Sequence, residues 1–420
     1  MHDAMMAGSG AEKMWSRLIG DANGGVVPIF ALALVPMMGL VGAAVDYARA
    51  SSARTAMQAS LDATALAVAK EASTLPQDQA SARATALFSA SFSRDEVQSL
   101  QVSATVTSAS SGFTVSSSAQ GTIATRFMRL FGHETLPLRV NASVATASDG
   151  LGCVLALNPT ASGAITAQGS TTVKLNGCSL YDNSSSDTAL TVGGSATITT
   201  DFVGVVGGVG SSTGITATNG IRTKIAPVTD PYADVVVPPF SGCDEHNYNA
   251  KNTETINPGV YCGGIMVNAN AVLTLNPGMY YLDGGDFVVN GGATVTGTSV
   301  TLVFTSKSGK SWSTARINGN ATVNLTPMTW GPTKGMVVFA DRNMPAGTEF
   351  KFNGGANQYL AGAVYVPTGA VSFAGGADTS TTCTQVIGNT VTFVGNSNLA
   401  IDCSRYDTRP FSTKVMRITS

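Results

Sequence analysis

The sequence predicts a mainly β protein on a membrane anchor. The expected order is an N-terminal transmembrane helix and an Ala-rich helix, a small antiparallel sheet, then a right-handed parallel β-helix-like domain. Three observations predict it. An uncharged apolar run, Val26 to Val45, has the ~20 residues a helix needs to cross a bilayer core. Beyond residue 93, β-branched and apolar residues recur in short alternating runs, the period-two pattern of strands. From about Leu151 a degenerate Gly- and Asn-rich repeat sets in. The chain then divides into 1–25 as a short N-terminus, 26–45 as the transmembrane helix, 46–92 as a helical segment, 93–149 as a small β region and 150–420 as the repeat domain.

The apolar run admits three readings: a cleaved signal peptide, a membrane anchor or a buried core helix. A signal peptide has a shorter apolar core and an A-x-A-like cleavage site. A buried helix of this length seldom lacks polar residues on every face. The anchor is the reading that fits. Pro28 and Pro36 are tolerable in a membrane helix, where neighbours re-satisfy freed carbonyls. Gly39 and Gly42 are small interface residues, but they form no GxxxG pair.

Behind the run, Tyr47, Ala50, Ala53, Met57, Leu61, Ala65 and Val68 fall on one helical stripe, with Arg49, Arg54, Gln58, Asp62 and Lys70 largely off it. So narrow and Ala-rich a stripe suits either a partner helix or the helix's own domain, and both remain open. On the first reading the partner-binding residues are Tyr47, Met57, Gln58, Leu61 and Asp62. Pro76 interrupts the pattern, and Gln77 to Phe92 reads as a second short helix. Val97 to Val144 alternates as a small antiparallel sheet, interrupted at Phe127 to Gly132 by a helical turn.

In the repeat, segments such as ITAQGSTTVKL, IMVNANAVLTL, FVVNGGATVTG and FKFNGGANQYL share an apolar–small–apolar core. Ala167, Val192, Val267, Val289, Ile317, Phe352, Phe373 and Phe393 are taken as equivalent positions. Most successive gaps are ~20–28 residues, and the larger Val192–Val267 gap has room for about three units. That period matches one coil of a parallel β-helix, with Gly and Asn at the turns because they accept positive φ. Asn268, Asn290, Asn318 and Asn353 would then stack. A β-sandwich of short strands is the alternative, but it does not require such a period.

Charge is sparse, 12% of residues with a net −2, so no basic face suggests nucleic acid. Six cysteines, Cys153, Cys178, Cys243, Cys262, Cys383 and Cys403, all lie beyond residue 150 and form no CxxC. Their even number favours disulfides over buried free thiols, and an oxidising compartment. The order suggests Cys153–Cys178, Cys243–Cys262 and Cys383–Cys403, one choice among ~15 connectivities. The flanking charges, Lys13 and Arg17 before the run and Arg49 and Arg54 after it, orient it poorly. The cysteines orient it better: residues 1–25 cytoplasmic, the C-terminal mass outside. Candidate chemistry is thin. Asp283 with Asp286 reads equally well as a turn, and Asp341 with Arg342 as a loop. Cys243, Asp244, Glu245 and His246 with Cys262 match no familiar zinc spacing, and a disulfide explains both cysteines. No P-loop, dinucleotide fingerprint or GxSxG element is present. No catalytic residue, metal or cofactor is expected.

One combination is specific: NGGVVPIFALALVPMMGLVGAAVDYAR, then RTAMQASLDATALAVAKEA, then ATRFMRLFGHETLPLRVNASVATA. From Asn23 to about Ala147 the chain resembles the N-terminal region of TadG-type Flp (tight-adherence) pilus-assembly proteins. The resemblance implies a single-pass bacterial inner-membrane protein of a pilus-secretion locus, with its bulk periplasmic. Many relatives carry a von Willebrand factor A-like region with a metal-binding Asp-x-Ser-x-Ser motif, which this sequence lacks. Related small proteins resemble prepilins, cut after a Gly five residues before a Glu. Gly24 and Gly25 precede the run here, but Val26 to Phe30 holds no acid, which disfavours processing. The function expected is a non-enzymatic, membrane-anchored assembly or adhesion factor of a Tad-type pilus. Its partners would be the inner membrane, other Tad components or pilin-like proteins, and a surface or polysaccharide. The alternatives are a membrane-tethered β-helix carbohydrate-active enzyme and a surface-binding adhesin stalk.

Overall fold

Nothing between Val45 and Asp46 breaks a helix, and the sequence that follows is rich in alanine, the best helix former. The apolar run and the Ala-rich stretch accordingly form one helix, α1 (Val26–Glu71), of 46 residues. Pro36 lies inside it without ending it. The computed structural model describes residues 26–72, 75–109, 112–355, 358–375, 383–400 and 403–419. The expectations for residues 1–25, Gly24 and Gly25 included, lie outside the described residues. The protein is mainly β beyond α1 and forms two compact units: residues up to Ala147 with Met416 onward, and Ser148–Val415.

In the first unit α1 is followed by α2 (Ala80–Ser91), β1 (Val97–Ala109), β2 (Gly112–Ala124) and β3 (Thr135–Ser148). The chain's last strand, β4 (Lys414–Ile418), adds to this sheet, whose order is β1-β2-β3-β4, rather than to the repeat domain. The β1–β2 and β2–β3 pairs are antiparallel. Of the two readings of the α1 stripe, packing on its own domain is the one found. Ala53, Met57, Leu61, Ala65 and Val68 are fully buried against Ala84 and Phe88 of α2, Val115 and Ala119 of β2, and Val140 and Val144 of β3. The alanines let the helix lie close to the sheet. Glu71 accepts both Nε and Nη2 of Arg83 at 2.8 Å, which ties α2 to the end of α1.

The second unit is built of short strands in parallel ladders. One ladder runs through Ile221–Thr223, Val203–Val205, Ser179–Asp182, Gly152–Ala156, Thr384–Phe393, Gly362–Gly375, Met336–Ala340, Val300–Thr305, Gly278–Asp283 and Gly259–Val267. A second runs through Thr253–Ile256, Val272–Leu275, Thr294–Gly297, Thr322–Leu325 and Gln358–Leu360. Successive positions along these ladders mostly recur at about 20–28 residues within each run, with a longer step of 35 residues between Ile317 and Phe352. The eight repeat positions stack in one column by direct pairing, in the order Val267, Val289, Ile317, Phe352, Phe373, Phe393, Ala167, Val192. Their side chains belong to a single buried core. At the corners, Asn270 and Asn320 take φ +64° and +65°. Gly292 takes +81° at the matching place, the left-handed conformation that Asn and Gly tolerate. The turn asparagines align too: Asn268 donates to Asn249 at 2.9 Å and Asn318 to Asn290 at 3.3 Å, while Asn353 accepts from the Ser372 hydroxyl.

The column begins at Val267, not at Ala167, because the chain changes ends. The Val192–Val267 gap is therefore not three ordinary repeats. After Ile221–Thr223 comes a segment without strands, residues 224–244, and the next strand, Glu245–Ala250, pairs at the opposite end of the stack. Val228, Tyr232 and Val235 of this segment pack with Leu155, Phe339 and Tyr365 in a second buried cluster. The middle of the first ladder is thus buried on both faces, and Gly152–Ala156, Val300–Thr305 and Met336–Ala340 are buried at every residue, whereas the end strand Ile221–Thr223 is largely exposed. Three disulfides, Cys153–Cys178, Cys243–Cys262 and Cys383–Cys403, join residues 25, 19 and 20 apart. Loops of this size stabilise by about 3 kcal/mol each in the chain-entropy account.

Asp182, on the ladder strand Ser179–Asp182, is fully buried. Burial pushes its carboxyl up to about 6, against the Ser184 N–H it accepts at 2.9 Å. The folded chain therefore holds this proton between roughly pH 4 and 6, where the unfolded chain has lost it. The sign follows: this group lowers stability as pH rises through that window, by on the order of 3 kcal/mol once fully above it. Asp182→Asn keeps the acceptor and removes the charge. It should raise the calorimetric midpoint at pH 7.5 and flatten the pH 4–7 slope. Identical slopes for the two proteins would refute the assignment.

Candidate functional site

The outer part of α1 is bare. Leu32 is 79% exposed and Leu40 73%, with Ile29, Val35 and Val41 similarly open, so this stretch has no core of its own. It is the one helix among the described residues long and apolar enough to cross a membrane, and it is a candidate membrane anchor. Asp46, at the exit of the run, is 2% exposed. Its carboxylate accepts the backbone N–H of Arg126 at 2.9 Å and those of Phe127 and Met128 at 2.8 Å. Arg49 lies 3.8 Å away, one helical turn on. Burial acts to raise the Asp46 carboxyl, but the three N–H donors, with Arg49, outweigh it and hold it below the usual carboxylate range.

The donors belong to the connection between β2 and β3, a single 3-10 turn at Met128–Phe131 closed by Gly132 in the left-handed conformation, φ +86°. The turn lies on two glycines of α1. A Cβ on Gly42 would come within 2.6 Å of the Phe127 side chain, and one on Gly39 within 3.0 Å of the Phe131 ring. Gly39 and Gly42 are one helical turn apart and share a face. A side chain at Gly42 would push Phe127 off the helix, and one at Gly39 would displace the Phe131 ring. The sequence carried both signals, the glycines and the apolar FMRLFG. It did not reveal that they meet or that Asp46 fastens them.

The predicted partner-binding residues separate. Tyr47 is 72% exposed, whereas Met57 and Leu61 are inside the core of the first unit. The Gln58 amide donates to Asp62 and to the Asn141 carbonyl of β3, both at 2.8 Å. This pair therefore fastens α1 to its own sheet.

The chemical candidates of the second unit are engaged in structure. Asp283 accepts the Lys307 N–H at 2.7 Å, and one oxygen of Asp286 accepts both the N–H and the hydroxyl of Thr314. Asp341 accepts the Thr305 hydroxyl and the Asn343 N–H. Arg342 pairs with Asp230 at 2.7 Å and lies over the Tyr365 ring, joining the 224–244 segment to the ladder. Burial raises the hydroxyls of Tyr232 and Tyr365 in the same network. Cys243, His246 and Cys262 lie close together. The two sulfurs are bonded to each other, which leaves no thiolate for a metal.

Residues 24–71 match the Tad family model, described as Flp pilus-assembly TadE/G-like. The match covers the anchor and the Ala-rich part of α1 and none of the repeat domain. No curated protein matches the chain. A solved structure, the competence-associated pilin ComZ from Thermus thermophilus, aligns over 78% of this chain and 87% of its own. Its identity is 14% and its TM-score 0.26, so the alignment carries no argument about fold.

Because Met57 and Leu61 are fully buried, a charge at either leaves an unpaired carboxylate in an apolar core. That costs several kcal/mol, against the roughly 5–15 kcal/mol that holds a domain together. Met57→Asp with Leu61→Asp should strip hydrogen-exchange protection from α2 and β1–β3 while residues 150–410 stay protected. Tyr47→Asp, at an exposed position, should leave both units unchanged. Retained protection of β2 and β3 in the double variant would contradict the packing described.

Proposed function

On the premise that residues 24–71 are a TadE/G-like Flp pilus-assembly segment, we propose that this protein is a non-enzymatic assembly or adhesion factor of a Tad-type pilus. It is held in the bacterial inner membrane by Val26–Val45, with residues 1–25 cytoplasmic and the chain beyond Val45 periplasmic. The observation that carries the reading is α1 itself: one unbroken helix, bare and apolar at its start and packed on a sheet from Ala50 onward. Three disulfides support an oxidising compartment for the second unit. The stacked column and the parallel pairing support a parallel β-helix, right-handed as parallel crossovers nearly always are, that offers a long, weakly charged surface. The partners on this reading are the membrane, other Tad components or pilin-like helices, and a surface or polysaccharide. The engagement of Asp283, Asp286 and Asp341 as turn and strand ligands favours it over the carbohydrate-active alternative.

The test is genetic and topological. Deleting the gene should abolish or sharply reduce pili and surface attachment, and the full chain should restore both. A chain whose Val26–Val45 run is replaced by a cleavable signal peptide should not. A periplasm-dependent reporter fused after Ser420 should be active. Normal piliation in the deletion strain, or a reporter active only in the cytoplasm, would overturn the reading.

A further inference from the structure

We propose that the β2–β3 turn, Arg126 to Gly132, is a second membrane-contacting element: Phe127, Leu130 and Phe131 enter the hydrocarbon beside α1, and Asp46 holds them there. The inference rests on the anchor reading of Val26–Val45. It starts from depth. At 1.5 Å per residue, Gly42 lies about 6 Å and Gly39 about 10 Å before Asp46 along the helix. The turn packs on both glycines. If the run crosses the bilayer, the level at which the Phe131 ring meets α1 is inside the apolar zone.

The side chains fit that place. Phe127, Leu130 and Phe131 are 45%, 78% and 61% exposed, an apolar cluster within five residues left open by the described residues. Between them and α1 lies an open apolar groove whose wall includes Leu34, Met38 and Val41. The groove and the bare helix form one continuous apolar surface. Lipid chains that surround the helix would cover the turn as well, so the proposed occupant is the bilayer. Arg126 and Arg129 are exposed and long enough to reach back to the phosphate layer.

The backbone fits it too. Within hydrocarbon every backbone polar group has to find its partner inside the protein, and irregular chain there has to lie against protein. Three successive N–H groups are taken by Asp46. Leu130 donates to the Phe127 carbonyl, Gly132 to Arg129, His133 to Met128, and Thr125 to Glu134. Asp46 is thus a positioning residue that satisfies three backbone N–H groups of an apolar turn.

The experiment uses the full chain in phosphatidylcholine–phosphatidylglycerol vesicles. An environment-sensitive NBD probe is attached at Leu130→Cys and, in separate chains, at Val41→Cys in the anchor and at Lys70→Cys near the far end of α1. Nitroxide-bearing lipids should quench the probe at 130 about as strongly as at 41, and at least threefold more than at 70, with aqueous iodide showing the reverse order. Adding Asp46→Ala should return the probe at 130 to the level at 70 and leave 41 unchanged. The Leu130→Cys comparison stands whether or not that variant folds. Iodide access at 130 while 41 is lipid-quenched would overturn the proposal and spare the anchor. Protection at 130 from both quenchers would overturn it in favour of a protein neighbour, such as a second copy's helix. Loss of lipid quenching at 41 and 130 together would overturn the anchor reading and this inference with it.

Discussion

On the anchor reading, the first unit depends on one constraint: α1 has to serve two environments without a break. Its outer residues are apolar on every face, and its inner residues are apolar on one narrow stripe. A helix can do this because its backbone is satisfied internally in either medium. The change of environment has to fall somewhere, and Asp46 marks it. Before it the exposed side chains are Leu, Val, Met and Phe; after it they are Tyr47, Ser51, Ser52, Arg54 and Thr55. A carboxylate at this boundary would be costly if it had no partners. It is placed where three backbone donors of another segment converge, so the boundary of the helix is also a point of attachment for the sheet.

The second unit answers a different problem, how to build a large domain from weakly apolar sequence. Each repeat contributes only a few core side chains, and no single repeat buries them alone. Stacking in register gives each core residue a neighbour above and below, so Val267, Val289 and Ile317 form a continuous column. The interruption at 224–244 does not break the stack, because the two halves meet where Thr384–Phe393 pairs with Gly152–Ala156. The interrupting segment is put to use. Its Tyr232 and Val228 cover the outer face of the ladder, and Asp230 receives Arg342. Glycine makes the close passages feasible: a Cβ on Gly152 would overlap the Phe411 ring.

Much of this was legible because it is periodic. The eight repeat positions could be chosen from apolar spacing alone, and the same eight residues form the column. The cysteines could be paired by order because neighbours in sequence are neighbours in the stack. Burial of Met57 and Leu61 was also in the pattern, but the pattern could not say against what: an Ala-rich stripe fits a partner helix and a sheet equally well. What periodicity could not carry is anything that depends on a single long-range meeting. The change of ends after Ile221–Thr223 shows in the sequence only as the long Val192–Val267 gap, which does not say where in the stack the chain resumes. The closure of the Phe127–Gly132 turn on Gly39 and Gly42 joins residues about 90 apart, and each partner reads in isolation as a loop or a helix packing site.

Asp46 and Asp182 together show why burial alone does not fix the character of a carboxylate. Both are almost wholly enclosed. Burial raises both, and the outcome turns on how many donors oppose it. Asp46 collects the N–H groups of Arg126, Phe127 and Met128 with Arg49 nearby, and ends below its ordinary value. Asp182 draws less help, chiefly from the Ser184 N–H, and is pushed up to about 6. A charge supplied with donors can serve as a fixed anion and organise a turn around itself. A carboxyl short of donors in a stack of strands is most stable when protonated. The same side chain thus fastens one unit as an anion, and in the other it costs stability once it ionises above about pH 6.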